Sequence, residues 1–155
     1  ADVGLGDARD RPAGLSPPAS RPSRPARLIL VDTSVWVQAL RRGSSAEALH
    51  LKALLDADQV ALCGPVRIEL LGGASAAEIP RLRRVLSALP VFLPTPETWK
   101  TLESWVEKSV RAGQRFGIAD LLIAGLAAEN DLEVWSLDAD FARMARLGFI
   151  RSHET

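Results

Sequence analysis

The sequence predicts an α/β protein with a mainly parallel sheet and helices on both of its faces. Short aliphatic runs that suit buried strands alternate along the chain with single helices or helix pairs. The stretch GIADLLIAGLAAEN is apolar nearly all round, which is typical of a central helix. A length of 155 residues with 47% hydrophobic content favours one domain with a sizeable core.

The boundaries of the predicted elements carry turn and capping residues. The predicted strands are residues 28–31 (LILV), 59–63 (QVALC), 91–94 (VFLP) and 133–137 (EVWSL). The predicted helices are residues 35–42, 46–57, 65–71 and 76–89, one from Thr95 or Pro96 to Gly113, one within 117–130, and 140–147. Thr33 or Ser34 can cap the first helix, and Ser44 with Glu47 forms a capping-box pattern before the second.

Composition narrows the class of protein. The 19 basic and 19 acidic side chains cancel, so the chain lacks an overall basic charge for nucleic acid, although local patches can coexist with zero net charge. A single cysteine, Cys63, allows no disulfide within the chain and favours a reducing compartment. The apolar stretch LLIAGLAA is far shorter than the roughly 20 residues of a membrane span, and the N-terminus lacks an apolar signal-peptide region. We therefore expect a soluble cytoplasmic protein.

The N-terminal segment differs from the rest of the chain. Residues 1–27 are rich in Pro, Arg, Ser, Gly and Ala without periodicity, which predicts a disordered extension before one domain of residues 28–155. The simpler interpretation gives this extension no function, and the alternative is a basic arm that contacts nucleic acid. His50 and His153 lie far apart in sequence, so neither a histidine metal site nor a Cys–His nucleophile pair is predicted.

Carboxylates recur at equivalent positions around the predicted sheet. Asp32 and Asp138 directly follow the first and fourth strands, and Asp140 lies close behind. Glu69 lies one turn into the helix after the second strand, and Asp120 lies in the first turn of the buried helix. Taken singly, each acid has a structural explanation as a helix cap, a first-turn acid or a surface charge. Together they are expected at the carboxyl edge of the sheet, where open parallel sheets bind ligands.

Several carboxylates in one place repel one another, and a divalent cation removes that penalty. Mg²⁺ and Mn²⁺ prefer oxygen ligands, and either can activate water and stabilise charge on a phosphoryl group. No basic residue stands where it suggests a simple salt bridge with these acids, although Arg67 and Arg115 lie within possible reach. The pattern therefore predicts a metal site that supports hydrolysis.

The motifs VDTSVW, IEL, GIADLLIAGLA and SLDADFARMARLG resemble the four acidic motifs of PIN-domain ribonucleases, most closely those of VapC toxins. The resemblance spans about residues 28 to 150, and the N-terminal extension departs from it. It implies a three-layer α/β/α fold, Mg²⁺- or Mn²⁺-dependent endoribonuclease activity, a VapB-like antitoxin partner and commonly a homodimer. The acidic metal site that it implies consists of Asp32, Glu69, Asp120 and Asp138, with Asp140 as the alternative fourth acid and Thr33 or Ser34 as hydroxyl support.

An acidic site must still attract a polyanion. Candidate phosphate-binding residues are Arg41, Arg42, Arg67, Arg111 and Arg115, whose alternative role is ordinary helix-surface charge. The four tryptophans are predicted in the core or an interface rather than as stacking platforms for bases: Trp36, Trp99, Trp105 and Trp135. The helices after Gly43 and Gly73 could offer an apolar groove to an amphipathic antitoxin helix.

Two other functions compete with that of a ribonuclease. One is a catalytically silent module of the same fold that binds RNA or protein. The other is a phosphotransfer domain with Asp32 as nucleophile, because an aspartate after a buried strand suits that chemistry as well. Against the second, Ser34 stands where a haloacid-dehalogenase-like site has another aspartate, and no lysine follows the fourth strand.

Overall fold

The computed structural model describes residues 27–155, so nearly all of the predicted N-terminal extension, residues 1–26, lies outside the described residues. The strands are β1 (Ile29–Val31), β2 (Val60–Cys63), β3 (Val91–Phe92), β4 (Glu133–Trp135) and β5 (Arg151–Ser152). The helices are α1 (Thr33–Arg41), α2 (Ala46–Asp56), α3 (Gly64–Gly73), α4 (Ile79–Ser87), α5 (Pro96–Arg111), α6 (Ile118–Glu129) and α7 (Ala139–Arg146).

The strands form one sheet in the order β3-β2-β1-β4-β5, and every pair is parallel. Helices cover both faces, which confirms the predicted α/β/α architecture. The chain builds outward from β1 to β3 and then returns through α5 and α6 to place β4 on the other side of β1. The strand order therefore reverses between β1 and β4, and the crevice beyond the carboxyl ends of these two strands is the topological switch point.

The core lies on the central strands and α6. All residues of β1 and β2 are buried, which explains why these strands are continuous aliphatic runs rather than alternating ones. The apolar face of α6 packs closely on α5 at Gly125, where an added Cβ would lie 2.7 Å from Leu102 Cδ2. A side chain at this position would force Leu102 to shift, so glycine permits the close approach of the two helices.

Several predicted details are wrong. Asp32, rather than Thr33 or Ser34, caps α1, and Ser45, rather than Ser44, caps α2. The two-residue edge strand β5 is absent from the prediction, because it has no apolar run of its own.

Three of the four tryptophans lie in the core, and two predicted boundaries need correction. Trp36, Trp105 and Trp135 are buried as expected, whereas Trp99 is 44% exposed. Helix α4 begins at Ile79, three residues later than predicted, and β4 ends at Trp135, two residues earlier.

No helix among residues 27–155 has the length and apolarity that crossing a membrane requires.

Candidate active site

Asp32 occupies the switch point as the first residue after β1. It is only 6% exposed, and its Oδ2 accepts hydrogen bonds from the Ser34 backbone N–H (3.2 Å), the Ser34 hydroxyl (2.6 Å) and the Ser136 hydroxyl (2.8 Å). Its backbone N–H donates to the carbonyl of Trp135 at 2.9 Å. The carboxylate is therefore fixed from both β1 and β4, and it caps α1 at the same time.

Ser136 is a site residue that the sequence-based prediction missed. Its hydroxyl donates to Asp32 and accepts the backbone N–H of Asp138 at 3.0 Å. The Ser34 hydroxyl makes the matching link, because it accepts the backbone N–H of Leu137 at 3.0 Å. Two hydroxyl groups thus join the ends of β1 and β4. The prediction of a strand through residue 137 concealed Ser136, since the strand ends one residue before it.

Asp138 and Asp140 take different roles at the start of α7. Asp138 is the N-cap, and its Oδ1 accepts the backbone N–H of Asp140 at 2.9 Å. The Asp140 carboxylate instead forms an ion pair with Arg143 one turn along the helix. This pair corrects the expectation that no basic residue stands close enough for a simple salt bridge. In the sequence DADFAR, Arg143 stands three residues after Asp140, and this spacing could have predicted the ion pair.

The pKa of the Asp120 carboxyl group is raised by burial and by the neighbouring acids. Its pKa is raised from 3.8 to about 6, first by burial and then by the negative charges of Asp138, Asp32, Asp140 and Glu69, in that order. The other four acids of the predicted group therefore lie close enough to Asp120 to affect its pKa. Asp138 acts on Asp120 more strongly than Asp140 does, which agrees with the pairing of Asp140 to Arg143.

Glu69 lies at the outer side of this group. The sequence indicates an apolar setting, but α3 turns Glu69 to the surface and leaves the neighbouring Ile68 69% exposed. The Thr33 hydroxyl donates a hydrogen bond to the Glu69 carboxylate, so the partner that a glutamate needs comes from α1. Burial raises the pKa of the Cys63 thiol to about 11, which leaves this cysteine neutral and unsuited to act as a nucleophile.

The donor set fits a hard divalent cation by its chemistry. Carboxylate and hydroxyl oxygens are the ligands that Mg²⁺ and Mn²⁺ prefer, and a cation would relieve the repulsion that raises the pKa of Asp120. Within residues 27–155, no three carboxylate, imidazole or thiol side chains already converge as a set of ligands. Coordination therefore requires the carboxylates to turn toward a common point.

The candidate phosphate-binding arginines are dispersed. Arg41 and Arg42 end α1 and are exposed, which also suits the helix dipole. Arg67 donates to the Ser87 hydroxyl at 3.1 Å rather than to an acid of the site, and Arg111 pairs with Glu107 at 3.6 Å. Arg115 is exposed and lies in the loop that leads to α6.

Arg143 is a cation that the sequence-based prediction missed. Besides its ion pair with Asp140, its guanidinium lies over the Phe116 ring, 4.9 Å from the ring centroid. It therefore connects α7 to the loop before α6.

The two histidines, which lie far apart in sequence, meet in space. Their Nε2 atoms are 2.9 Å apart, and His153 Nδ1 lies 3.0 Å from the Glu133 carboxylate. Glu133 begins β4, whereas the acids follow the other end of that strand. The histidine pair packs beside Trp135, with 4.9 Å between the ring centroids of His50 and Trp135, and it fastens the segment after β5 to α2.

The family model for the PIN domain matches residues 29–147. Together with the parallel sheet and the acids at its switch point, this match defines the class of protein: the chain belongs to the PIN-domain family.

Within that family, the chain resembles VapC proteins. It is 32% identical over 125 residues to VapC ribonuclease Mb1587 of Mycobacterium bovis, a match that covers 77% of this chain and 93% of that relative. It is 30% identical over 125 residues to ribonuclease VapC18 of Mycobacterium tuberculosis, with 76% and 87% covered.

The fold also matches solved structures. One is VapBC-1 from nontypeable Haemophilus influenzae, with a TM-score of 0.67 and 16% identity over 82% of this chain and 97% of that chain. At this identity, the likeness supports the fold alone.

Proposed function

We propose that this protein is a Mg²⁺- or Mn²⁺-dependent endoribonuclease toxin that a VapB-like antitoxin neutralises. The observation that carries the proposal is the placement of Asp32, Asp120 and Asp138 at the switch point of a PIN domain, as helix caps or in the first turn of a helix. Burial and, after it, the charges of the neighbouring acids raise the pKa of Asp120 there. Such an assembly costs folding free energy unless a cation compensates it. Relatives named VapC ribonuclease, at about a third identity over most of the chain, support the reaction class.

Asp32, Asp120, Asp138 and Glu69 would hold the cation, with Asp140 as a further acid. A bound Mg²⁺ or Mn²⁺ supplies Lewis-acid chemistry, since it neutralises charge on the phosphoryl oxygens and makes water more acidic. The hydroxyls of Ser34 and Ser136 orient the Asp32 carboxylate through the hydrogen bonds described above. These hydrogen bonds restrict the rotation of the Asp32 carboxylate.

We infer that the substrate is single-stranded or loop RNA, because an unpaired strand is flexible enough to enter the acidic crevice at the sheet edge. Arg143 pairs with Asp140, and Arg115 stands in the loop that leads to α6; both would hold phosphates next to the scissile one. Arg41, Arg42 and Arg67 are further candidates for the same role. An RNA substrate places the activity in the cytoplasm.

The antitoxin and the oligomeric state follow from relatives and from the surface. The solved neighbours include VapBC complexes, which supports a VapB-like partner for this chain. Exposed apolar side chains remain on several helices, among them Leu40 (65%), Leu49 (62%) and Ile68 (69%). We propose that such surfaces bind the amphipathic antitoxin or a second copy of this chain, and that residues 28–155 form the nuclease domain.

The test measures cleavage of single-stranded RNA by the full chain with Mg²⁺ or Mn²⁺. Asp32→Asn and Asp120→Asn should each reduce cleavage by at least a hundredfold. Glu47→Gln, which alters a first-turn acid of α2 outside the crevice, should cleave like the parent.

Three outcomes would redirect the assignment. Undiminished cleavage by both aspartate variants contradicts the proposal. Absence of both cleavage and Mn²⁺ binding favours the silent binding module. A hydroxylamine-sensitive acyl phosphate on Asp32 favours the phosphotransfer domain.

A further inference from the structure

A cavity of about 160 Å³ opens between α5, the loop after it and the start of α6. It is lined by Val106, Val110, Gln114, Arg115, Phe116 and Leu121. Its walls connect it to the acidic crevice at two points. Leu121 directly follows Asp120, and the Phe116 ring carries the guanidinium of Arg143. The cavity therefore borders the start of α6, which also carries Asp120.

Gln114 places a polar amide group in the wall of this cavity. Its backbone is fixed, because its N–H donates to the Ser109 carbonyl at 2.8 Å and Gly113 before it takes a φ of +69°. Its side-chain Oε1 is buried without a hydrogen-bond partner among residues 27–155. An unpaired buried acceptor is costly, so the amide gains a bond by turning toward any donor that enters the cavity.

The dimensions and chemistry of the cavity select the ligand class. An enclosed protein cavity of about 150 Å³ holds benzene, so a single six-membered ring fills this cavity of about 160 Å³, whereas the second ring of a purine would extend out of it. The walls offer an aromatic face at Phe116, a hydrogen-bond acceptor at Gln114 and a cation at Arg115. An unpaired pyrimidine presents a matching flat ring, an N–H donor on its pairing edge and an adjacent phosphate.

We propose that this cavity is a subsite for a pyrimidine base that flanks the cleaved phosphate, with Gln114 as the residue that reads its edge. The donor to Gln114 Oε1 is the exocyclic amino group of cytosine or the ring N–H of uracil. Arg115 holds the phosphate of the same nucleotide and reads no sequence. The inference rests on the proposed ribonuclease function and adds its substrate preference.

The experiment compares RNA oligonucleotides that are identical except for one nucleotide beside the cut, which is C, U, A, G or abasic. The parent should prefer C and U over A and G by about tenfold or more in kcat/KM. Gln114→Met keeps the side-chain volume and removes the amide. It should lower kcat/KM about tenfold for C and U, which is the value of one hydrogen bond. Both proteins should cleave the abasic RNA equally.

Arg115→Ala is the matched control for a phosphate contact, because it should weaken all five substrates by the same factor and reduce the salt dependence. A second arm measures binding of the same RNAs to the full chain carrying Asp120→Asn, with and without Gln114→Met, so that it needs no turnover. Loss of pyrimidine preference on adding Gln114→Met supports the subsite in this arm as well.

The outcomes separate the two proposals. A parent that binds RNA with pyrimidine preference but never cleaves it contradicts the ribonuclease function and leaves the subsite supported. Equal loss on abasic and pyrimidine RNA, or no base preference in either arm, overturns the subsite. So does a Gln114→Met variant with altered affinity for a VapB-like antitoxin alone, since the cavity would then take an antitoxin side chain.

Discussion

Asp120→Asn should stabilise the protein while abolishing its activity. The Asp120 pKa is about 6 in the folded chain and 3.8 as its ordinary value, so the fold disfavours the ionised form. The penalty is absent below pH 3.8, where the carboxyl is protonated in both states. It grows as the pH rises toward 6, since the unfolded chain releases its proton first, and it is complete above pH 6. Asparagine carries no charge and avoids the penalty.

The magnitude follows from the same shift. A rise from 3.8 to about 6 corresponds to about 3 kcal/mol in the free energy of unfolding. Because Asp120 is only partly buried, solvent and salt screening reduce the expected gain to about 1–2 kcal/mol. Asp120 also lies in the first turn of α6, where loss of a negative charge costs about 0.3–1 kcal/mol through the helix dipole. The two effects have opposite signs, so the experiment distinguishes them.

Urea unfolding with EDTA at pH 7.5 and pH 4 provides the measurement. The variant should exceed the parent at pH 7.5, and the difference should vanish near pH 4. Glu47→Gln is the control, because Glu47 is a first-turn acid of α2 away from the crevice and should only lose the dipole interaction. Adding Mg²⁺ should stabilise the parent alone and close the gap. If Asp120→Asn destabilises the chain at pH 7.5 as Glu47→Gln does, the reasoning from acid repulsion is refuted.

Four further experiments test individual contacts. Asp32→Asn should keep the cap of α1 and unfold within about 1 kcal/mol of the parent, yet lose RNA cleavage; equal loss of both would contradict this. Ser136→Ala should lower kcat about tenfold with KM little changed, because it removes a hydrogen bond that orients the Asp32 carboxylate. A double-mutant cycle of His50→Ala and His153→Ala in urea should give a coupling of about 0.5–1.5 kcal/mol at pH 7.5, and zero coupling would deny their hydrogen bond. Gly125→Val should lower the free energy of unfolding by about 1–3 kcal/mol through overpacking between α5 and α6.

The fold could be predicted because burial leaves a strong mark on composition. β1 and β2 are covered on both faces, so every residue in them is apolar, and α6 is apolar nearly all round for the same reason. β5 lacks this apolar composition. It has two exposed residues at the sheet edge, and its position depends on pairing with β4 and on the histidine contact that follows it. Long-range pairing of this kind is not encoded in any local pattern.

The acids of the crevice could be placed together from sequence, because parallel strands bring their carboxyl ends to one edge. The groups that orient these acids could not be identified from the sequence. Ser136 required the exact end of β4, and boundaries are the least determined feature of a sequence pattern. The exposure of Glu69 depended on how α3 is rotated, which its neighbours Ile68 and Leu70 did not reveal.

The arrangement explains why one aspartate can serve both folding and chemistry. Asp32 and Asp138 each cap a helix with one carboxylate, as their position after a strand favours, and each also contributes charge to the crevice. Capping needs only an acceptor oxygen, which asparagine supplies, whereas the field at Asp120 needs the charge. Asp120 caps no helix, and the favourable helix-dipole interaction of its charge is smaller than the cost that burial and the neighbouring acids impose. A bound cation, as proposed above, would offset that cost. The stability of the parent and of Asp120→Asn without metal is therefore the most informative quantity to measure.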